Sequence, residues 1–317
     1  MTVIEAYCAA LGDPQRAAPV IHVTGTNGKG STAQMISRLL VASGLTVGTY
    51  TSPHLESVNE RISRNLEPIS DEEFAEQISA VADLEDVVGL RPTYFEIMTA
   101  AAFRWFADVA VDVMVIEVGL LGRWDATNVV DATVAVITNI GMDHTEFAGP
   151  SLEHIAREKA GIITPQSAVI VGETQPELVT IFEEAGGATV LVRGDDFDAT
   201  SNALAVGGRL LDLRTPTTIY PDVYVPLHGA HQGRNAAVAL TAVETFFAAP
   251  LPDDVVTEGF AEVSMPGRFE VLGRQPLAIV DGAHNPTGAD MCTQVFLDDF
   301  NPDGRRLLVV GTLRDPV

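Results

Sequence analysis

The chain has 317 residues, enough for one large or two ordinary domains with a sizeable core. Its 43 acidic residues outnumber 19 basic ones, and the net charge of −24 argues against general nucleic-acid binding and against attraction to anionic membranes. The two cysteines lie far apart in the sequence and indicate a reducing, cytoplasmic location without a disulfide framework. No secretory signal and no membrane-spanning stretch is visible, so we expect no membrane partner.

The first predicted elements surround a glycine-rich turn with the sequence VIHVTGTNGKGST, residues 20–32. The β-branched run at its start predicts a buried strand, and the apolar spacing after the turn predicts a helix. The three glycines let the backbone approach a ligand at a helix N-terminus, where the helix dipole favours negative charge. Lys29 adds a full positive charge, and the hydroxyl of Ser31 or Thr32 can reach a phosphate or a metal-bound oxygen. The turn is therefore predicted to hold phosphate groups.

This turn departs from the general nucleotide-loop pattern GxxxxGK[ST] at two positions. Val23 occupies the place of the first glycine, and Gly30 separates Lys29 from Ser31. The alternative interpretation is a glycine turn that only joins a strand to a helix. Three glycines, a lysine and two hydroxyls between a strand and a helix favour the phosphate-binding interpretation.

The following segments alternate between strand and helix patterns. Residues 46–55 predict a short strand that ends in a polar loop. Further strands are predicted at residues 111–118, 133–140 and 168–171, and helices at residues 71–84, 93–107 and 151–160. Near-continuous apolar strands are typical of a parallel sheet that is covered on both faces. We therefore predict a doubly wound α/β domain, whose ligands lie beyond the carboxyl ends of the strands.

Polar residues that follow these strands are candidates for a metal site. Ser52 and His54 follow the second strand, Glu117 closes the third, and Asp143 and His144 follow the fourth. Taken singly, each has a structural explanation, as a turn residue, a solvated carboxylate or a hydrogen-bonding histidine. Together, at the same edge as the phosphate-binding turn, they favour a divalent metal with oxygen ligands and one imidazole.

The last part of the chain has a different pattern. Short alternating runs at residues 195–226 predict a small β excursion that packs on the main domain, without visible chemistry. Residues 234–248 predict an apolar helix, and a hinge is expected at residues 264–267. Beyond the hinge, strands are predicted at residues 276–285 and 305–315 as parts of a second α/β unit.

A series of motifs, in family order, resembles the folylpolyglutamate synthase and dihydrofolate synthase family, which belongs to the ATP-dependent Mur ligases. The motifs run along nearly the whole chain: GTNGKGST, YTSPHL, NERI, FEIMTAAAF, EVGLLGRWDATNVV, ITNIGMDHTEF, IAREKAGII, HQGRNAAVA, MPGRFEV and DGAHNP. The resemblance implies a Mur-ligase-like P-loop central domain, residues 1–264, followed by the first part of a Rossmann-like C-terminal α/β domain, residues 265–317.

The resemblance also implies roles for individual residues. It assigns the binding of the ATP phosphates to Asn27, Gly28, Lys29, Gly30, Ser31 and Thr32. It assigns further nucleotide contacts to Asn235, Arg268, Asp281 and His284. It assigns the binding of one magnesium ion to Ser52, Glu117 and His144. It places Lys159, whose counterpart is carbamylated in relatives, near a second magnesium ion. The catalytic residues implied by the family are Lys29, His144 and Lys159.

Two of these assignments have simpler alternatives. Lys159 is alternatively a helix-surface lysine paired with Glu158 or Glu153, and Arg268 a surface arginine paired with Glu270. The planar fork of an arginine suits phosphate, which favours the nucleotide contact for Arg268.

The implied reaction uses ATP to make a carboxylate open to attack by an amine. The carboxylate of dihydropteroate or of a reduced folate takes the γ-phosphoryl group, and the amino group of L-glutamate then attacks the acyl phosphate. Catalysis is expected to consist mostly of positioning and charge neutralisation. We expect a monomer that binds ATP and two Mg²⁺ ions, with residues 51–55 and 125–130 shaping the pterin side.

The chain departs from the family at two places. Leu121 stands where the family usually has glycine in GLGGR, so it adds a side chain where the backbone is normally bare, and the local loop conformation stays open. The chain stops at Val317, whereas relatives continue, and we expect it to bind Mg-ATP but to turn over slowly. The alternatives are a nucleotide-binding paralogue with little ligase activity and a Mur ligase acting on a cell-wall precursor. The latter is disfavoured because its phosphate loop follows a further N-terminal domain.

Overall fold

The computed structural model describes residues 2–143, 146, 149–300 and 304–311, and its largest element is an eight-stranded sheet. The strands are β1 (Val20–Thr24), β2 (Val47–Tyr50), β3 (Ile62–Arg64), β4 (Glu67–Pro68), β5 (Val113–Glu117), β6 (Ala132–Ile137), β7 (Ala168–Val171) and β8 (Thr189–Val192). Their order is β4-β3-β2-β5-β1-β6-β7-β8. All neighbours from β2 to β8 pair in parallel, and β3 and β4 extend one edge in antiparallel fashion. The predicted mostly parallel sheet is confirmed.

Helices connect these strands. They are α1 (Val3–Ala10), α2 (Lys29–Ala42), α3 (Asp71–Ala82), α4 (Glu85–Val88), α5 (Tyr94–Asp108), α6 (Leu152–Lys159), α7 (Pro176–Glu184), α8 (His231–Phe247), α9 (Asp253–Ala261) and α10 (Pro286–Val295). Shorter helical turns lie at Pro14–Arg16, Val58–Arg61, Ala160–Ile162 and Phe296–Phe300. Within the described ranges, none of the helices has the length and apolar character needed to cross a membrane.

Helices cover both faces of the sheet. In β1, Ile21 and Val23 pack with α2, α8 and α9, whereas Val20 belongs to a second apolar cluster with α1 and α5. Helices α6 and α7 cover the part of the sheet around β6 and β7. Every residue of β1 and β5 is buried as a result, which is why these strands read as continuous apolar runs.

Local signals set where α3 and α5 begin. The hydroxyl groups of Ser70 and Thr93 accept hydrogen bonds from the amides of Glu73 and Glu96, whose carboxylates bond back to the cap residues. Such capping boxes satisfy backbone N–H groups that a helix start leaves free. The box at Thr93 fixes the first turn of α5, and with it the position of Phe95 in the cleft at the edge of the sheet.

Residues 198–225 form the predicted β excursion as a separate antiparallel sheet. Its strands are β9 (Asp198–Ala205), β10 (Gly208–Arg214) and β11 (Ile219–Val225), in the order β11-β10-β9. Leu211, Leu213 and Val225 are fully buried in the same apolar cluster as α2 and α8. The prediction that this excursion packs on the main domain is confirmed.

The C-terminal segment, residues 265–311, begins with an antiparallel hairpin of β12 (Glu270–Arg274) and β13 (Leu277–Val280), which α10 follows. The strand predicted at residues 305–315 is wrong in its described part, because residues 305–311 contain no strand. Their apolar side chains, Leu307 to Val310, are between 68% and 85% exposed. A strand needs a neighbour that takes its backbone hydrogen bonds, and no strand of the described chain lies beside these residues. The domain boundary at residue 264 stays a prediction.

Candidate active site

A cleft of about 1480 Å³ lies at the carboxyl ends of β1, β2 and β5. The loops after these strands form one wall, and α8 and the C-terminal segment form the opposite wall. Open α/β sheets bind their ligands at this edge. The predicted site residues that line the cleft are Asn27, Gly28, Lys29, Gly30, Ser31, Ser52, Glu117, Asn235, Arg268, Asp281 and His284.

Two glycines of the phosphate loop, residues 25–31, are required by its shape. Gly25 has a φ of +151°, and a Cβ there would lie 1.8 Å from the hydroxyl of Thr138. Gly28 has a φ of +80°, and a Cβ there would lie 2.7 Å from Oδ1 of Asn235. Gly28 is also the N-cap of α2, so the positive end of the helix dipole is at the cleft. The backbone of this loop therefore passes closely between β6 and α8 and presents an anion-binding helix start.

The loop after β6 holds the phosphate loop in place. The amide of Asn27 donates to Oδ1 of Asn139 over 2.9 Å, and its carbonyl accepts from Thr138 and Asn139 over 2.7 and 3.0 Å. The hydroxyl of Thr26 donates to the carbonyl of Gly141 and accepts from its amide. These bonds make the two loops one rigid unit.

Glu117 is a buried carboxylate between two cations. It ends β5, is 3% exposed, and accepts a hydrogen bond from the amide of Ser52 over 3.0 Å. Burial raises its pKa, and the charges of Lys29 and Arg268 oppose that rise. Lys29 itself donates to the carbonyl of Gly25 over 3.1 Å.

The donor set at this point fits magnesium. A carboxylate and a hydroxyl are hard oxygen ligands, and Glu117 and Ser52 line the cleft side by side. Asp143 also lines the cleft, whereas His144 lies outside the described residues. Among residues 2–143 and the other described ranges, no group of three His, Cys, Asp or Glu side chains is gathered for a metal ion.

Lys159 ends α6 but points inward. It is 4% exposed, and its ammonium group donates to the carbonyl of Gly25 over 2.8 Å. Burial, with a smaller contribution from Lys29, lowers its pKa to about 7. The alternative of a helix-surface lysine paired with Glu158 or Glu153 is wrong, because the side chain is buried and its ammonium group bonds to Gly25 instead. Lys159 is thus a buried amine under the phosphate loop.

The loop after β5 is organised around Asp125. Its carboxylate accepts from the amides of Leu120 and Thr127 over 2.7 and 3.0 Å, and burial raises its pKa. Leu121 has a φ of +59°, the left-handed conformation that glycine adopts without strain. The loop therefore takes a glycine-type turn although a leucine occupies the position, and its side chain packs toward the cluster containing Ile140.

The opposite wall carries the remaining nucleotide candidates. Arg268 donates to the carbonyl of Gly282 over 3.3 Å, whereas Glu270 accepts from the amide of Gly267 over 2.8 Å. Both oxygens of Asp281 accept backbone amides, which fixes the chain at the entry to α10. The ion pair between Arg268 and Glu270 is therefore not the arrangement found, and the guanidinium lines the cleft.

Besides Lys159, two described candidates lie apart from the cleft lining. Thr32 is fully buried behind the loop, and its hydroxyl has no hydrogen-bond partner among the described residues. His54 accepts a hydrogen bond over 2.9 Å from Nε of Arg61, which itself lines the cleft.

Sequence reasoning missed several lining or bridging residues. Phe95 and the exposed Trp124 line the cleft, although the patterns marked only a helix and a loop there. Asn285 belongs to the DGAHNP motif, but no role was predicted for it. It joins the C-terminal segment to Asn27 and Asp143, and the signal was its place just before Pro286, a typical helix-capping position.

Comparisons with known proteins identify relatives over most of the chain. The Mur ligase middle domain family matches residues 23–243. The dihydrofolate synthase/folylpolyglutamate synthase of Mycobacterium tuberculosis is 41% identical over 328 residues, covering 95% of this chain and 67% of that protein. The enzyme of the same name from Bacillus subtilis is 37% identical, covering 97% and 74%.

Solved structures show the same similarity. Mycobacterium tuberculosis folylpolyglutamate synthase (FPGS) complexed with ADP and AMPPCP superposes with a TM-score of 0.90 at 41% identity, covering 94% of this chain and 70% of that one. An FPGS–AMPPCP–folate complex superposes with a TM-score of 0.89 at 34% identity, covering 94% and 76%. In both cases the similarity in sequence and fold extends over 94% of this chain.

Proposed function

The chain belongs to the folylpolyglutamate synthase and dihydrofolate synthase family of the Mur ligases, and from that premise we propose how its cleft works. It is an ATP- and Mg²⁺-dependent ligase that joins L-glutamate to the carboxylate of dihydropteroate or of a reduced folate. The observation that carries this function is the cleft in which the phosphate loop, Glu117 and Arg268 face one another.

The phosphate loop holds the triphosphate of ATP. Its amides at the start of α2 and the ammonium group of Lys29 supply the local positive charge that attracts phosphate, although the net charge of the chain is −24. Residues 1–264 act as the ATP-binding domain. The segment from residue 265 onward contacts the nucleotide, with Arg268 at the phosphates, Asp281 at the ribose hydroxyls and His284 as a further contact, and Asn235 contacts the nucleotide from α8.

Ser52, Glu117 and His144 hold magnesium, and the buried state of Glu117 supports its part in this set. A carboxylate at 3% exposure is stabilised by a nearby cation, and Lys29 and Arg268 already favour its ionised form. When bound, the ion neutralises charge on the phosphoryl group that is transferred.

Lys159 is the site of carbamylation. A pKa of about 7 gives a substantial fraction of neutral amine, the form that attacks CO₂. The nitrogen forms a bond to the carbon of CO₂, one proton is released to solvent, and the product carries a carboxylate-like group beside Lys29. That group supplies oxygen ligands for a second Mg²⁺ ion.

The carbamate is testable by ¹³C NMR after incubation with ¹³C-labelled bicarbonate. We expect one carbamate resonance in the native protein and none in Lys159→Ala. Short carboxylic acids are expected to restore part of the activity of that variant, because they return an anion to the cavity. A native protein without the resonance would remove the carbamate and its magnesium ion from the proposal.

The reaction proceeds in two steps, phosphoryl transfer and amide-bond formation. A carboxylate oxygen of the pterin substrate attacks the γ-phosphorus, and the bond between that phosphorus and the bridging oxygen breaks to release ADP. The glutamate nitrogen then attacks the acyl carbon, phosphate leaves with the bonding pair, and the amine loses a proton. The chain's own contribution is to hold the phosphates with Lys29 and Arg268 and to keep water from the acyl phosphate.

A co-substrate dependence assay tests this function. We expect ADP release in the presence of Mg-ATP to require both L-glutamate and a pterin carboxylate, with the preferred pterin identifying the folate reaction. Binding of Mg-ATP without such release identifies a nucleotide-binding paralogue. Absence of Mg-ATP binding by the folded protein, measured by calorimetry, contradicts the function altogether.

A further inference from the structure

Asn285 is the one described side chain that we find bonded at once to the phosphate loop, to the loop after β6 and to the start of α10. It is 9% exposed. Its Oδ1 accepts from the amide of Gly288 over 2.8 Å and so caps α10. Its Nδ2 donates to Oδ1 of Asn27 over 3.1 Å and to Oδ2 of Asp143 over 3.2 Å. The two ends of one carboxamide thus serve two different walls of the cleft.

The groups that Asn285 reaches are not free to follow it. Asn27 is bonded through its amide and carbonyl to Thr138 and Asn139, so it belongs to the rigid unit of the two loops. The C-terminal segment, by contrast, meets this unit through few polar contacts. A carboxamide is also the right chemistry, since both partners are acceptors and only a donor with two hydrogens satisfies both.

We propose that Asn285 is a positioning residue that latches the C-terminal segment onto the phosphate loop. This inference rests on the proposed function, because the segment brings Arg268 to the ATP phosphates and Asp281 to the ribose. When Asn285 makes these hydrogen bonds, the start of α10 keeps a fixed position relative to the phosphate loop. When these hydrogen bonds are lost, the two walls move independently. The loss weakens binding of the phosphoryl group more in the transition state than in the ground state.

Three substitutions separate the latch from the helix cap. Asn285→Asp keeps the Oδ1 acceptor that caps α10 but replaces the donor by an oxygen facing Asp143. Asn285→Ser keeps a capping hydroxyl and is too short to bridge. Gln294→Glu is the matched control, because it makes the same amide-to-carboxylate change at an exposed position of α10.

We expect Asn285→Asp to lower kcat about tenfold or more, with a smaller change in KM for ATP. Asn285→Ser is expected to change in the same direction, and Gln294→Glu to behave as the native chain. In the double variant Asn285→Asp with Asp143→Asn, the donor and the acceptor exchange places, and part of kcat should return. A residue that only caps a helix predicts the reverse, with Asn285→Asp active, since aspartate caps helices well.

Hydrogen exchange without nucleotide gives a readout that does not depend on activity. We expect faster exchange in residues 25–32 and 137–143 of Asn285→Asp and Asn285→Ser than in the native protein. Unchanged exchange together with unchanged kcat overturns the latch. If the native protein shows no ligase activity, the proposed function fails, and the exchange data still decide whether the latch exists.

Discussion

Lys29 has the charge and the place to act on the transferring phosphoryl group. Among the described residues, its ammonium group donates hydrogen bonds to the backbone carbonyls of Gly25 and Thr26 and to no side chain. Glu117, whose ionised form Lys29 favours, takes up a proton more readily without this charge, because burial already raises its pKa. We expect Lys29→Ala to reduce kcat about 100-fold or more, while the free energy of unfolding changes by less than about 1 kcal/mol. Lys29→Arg, which keeps the charge on a different shape, should retain more activity. A large loss of stability in Lys29→Ala, measured by urea unfolding, would contradict this assignment.

Lys159 should give the protein a distinct pH dependence of stability. The pKa of an unperturbed lysine is 10.5 and that of Lys159 in the fold is about 7, so the unfolded chain binds more protons between these values. The free energy of unfolding therefore rises with pH in this window and is not increased further above about pH 10.5. In CO₂-free buffer, the native chain should gain about 2 kcal/mol relative to Lys159→Met between pH 7.5 and 9. Parallel urea unfolding of both proteins checks the difference, and equal slopes would show that Lys159 titrates normally.

Leu121 occupies a backbone conformation that costs a leucine about 1–2 kcal/mol. Leu121→Ala removes the side-chain packing and keeps that cost, whereas Leu121→Gly removes both. Glycine normally destabilises a chain relative to alanine by about 0.5–1 kcal/mol. We therefore expect Leu121→Gly to be as stable as Leu121→Ala or more stable, by chemical denaturation. The usual order, with alanine clearly more stable, would mean that the loop has another conformation in solution.

At the level of elements, the sequence was sufficient where the signal is local. Strands β1, β5 and β7 and helix α5 lie within about two residues of their predicted bounds. Their signals, buried β-branched runs and a capping box, come from residues that are close together in the sequence. The strand predicted at residues 305–315 had the same apolar signal, but a strand also needs a partner in space. Periodicity does not report that partner.

The phosphate loop was likewise predictable from its own residues, whereas the direction of a side chain was not. Lys159 is the last residue of a helix, and the same sequence fits an exposed ion pair or the buried bond to Gly25. Which one forms depends on how α6 packs against the loop after β5. Asn285 shows the same limit, since its role depends on Asn27, which is 258 positions away in the sequence.

At the scale of the whole molecule, the β excursion connects the two parts of one cleft wall, α8 and the C-terminal segment. Asn202 of β9 donates to the carbonyl of Ala230 at the start of α8, and it accepts from Arg209 of β10 over 2.8 Å. Arg209 also pairs with Asp299 of the C-terminal segment over 3.0 Å, and the side chains are 9% and 2% exposed. The excursion, for which the sequence showed no chemistry, therefore supports both α8 and the C-terminal segment.

Asp299→Asn should release the C-terminal segment without unfolding the main sheet. Removing one partner of a buried ion pair costs about 3–5 kcal/mol, and undocking of the segment lets Arg209 regain water at a smaller cost. We expect faster hydrogen exchange in residues 286–300 and unchanged exchange in β1 and β5. Asp298→Asn is the matched control, because it makes the same change at the neighbouring position, where the side chain is exposed. Faster exchange in both variants, or in neither, would show that the pair between Arg209 and Asp299 does not dock the segment.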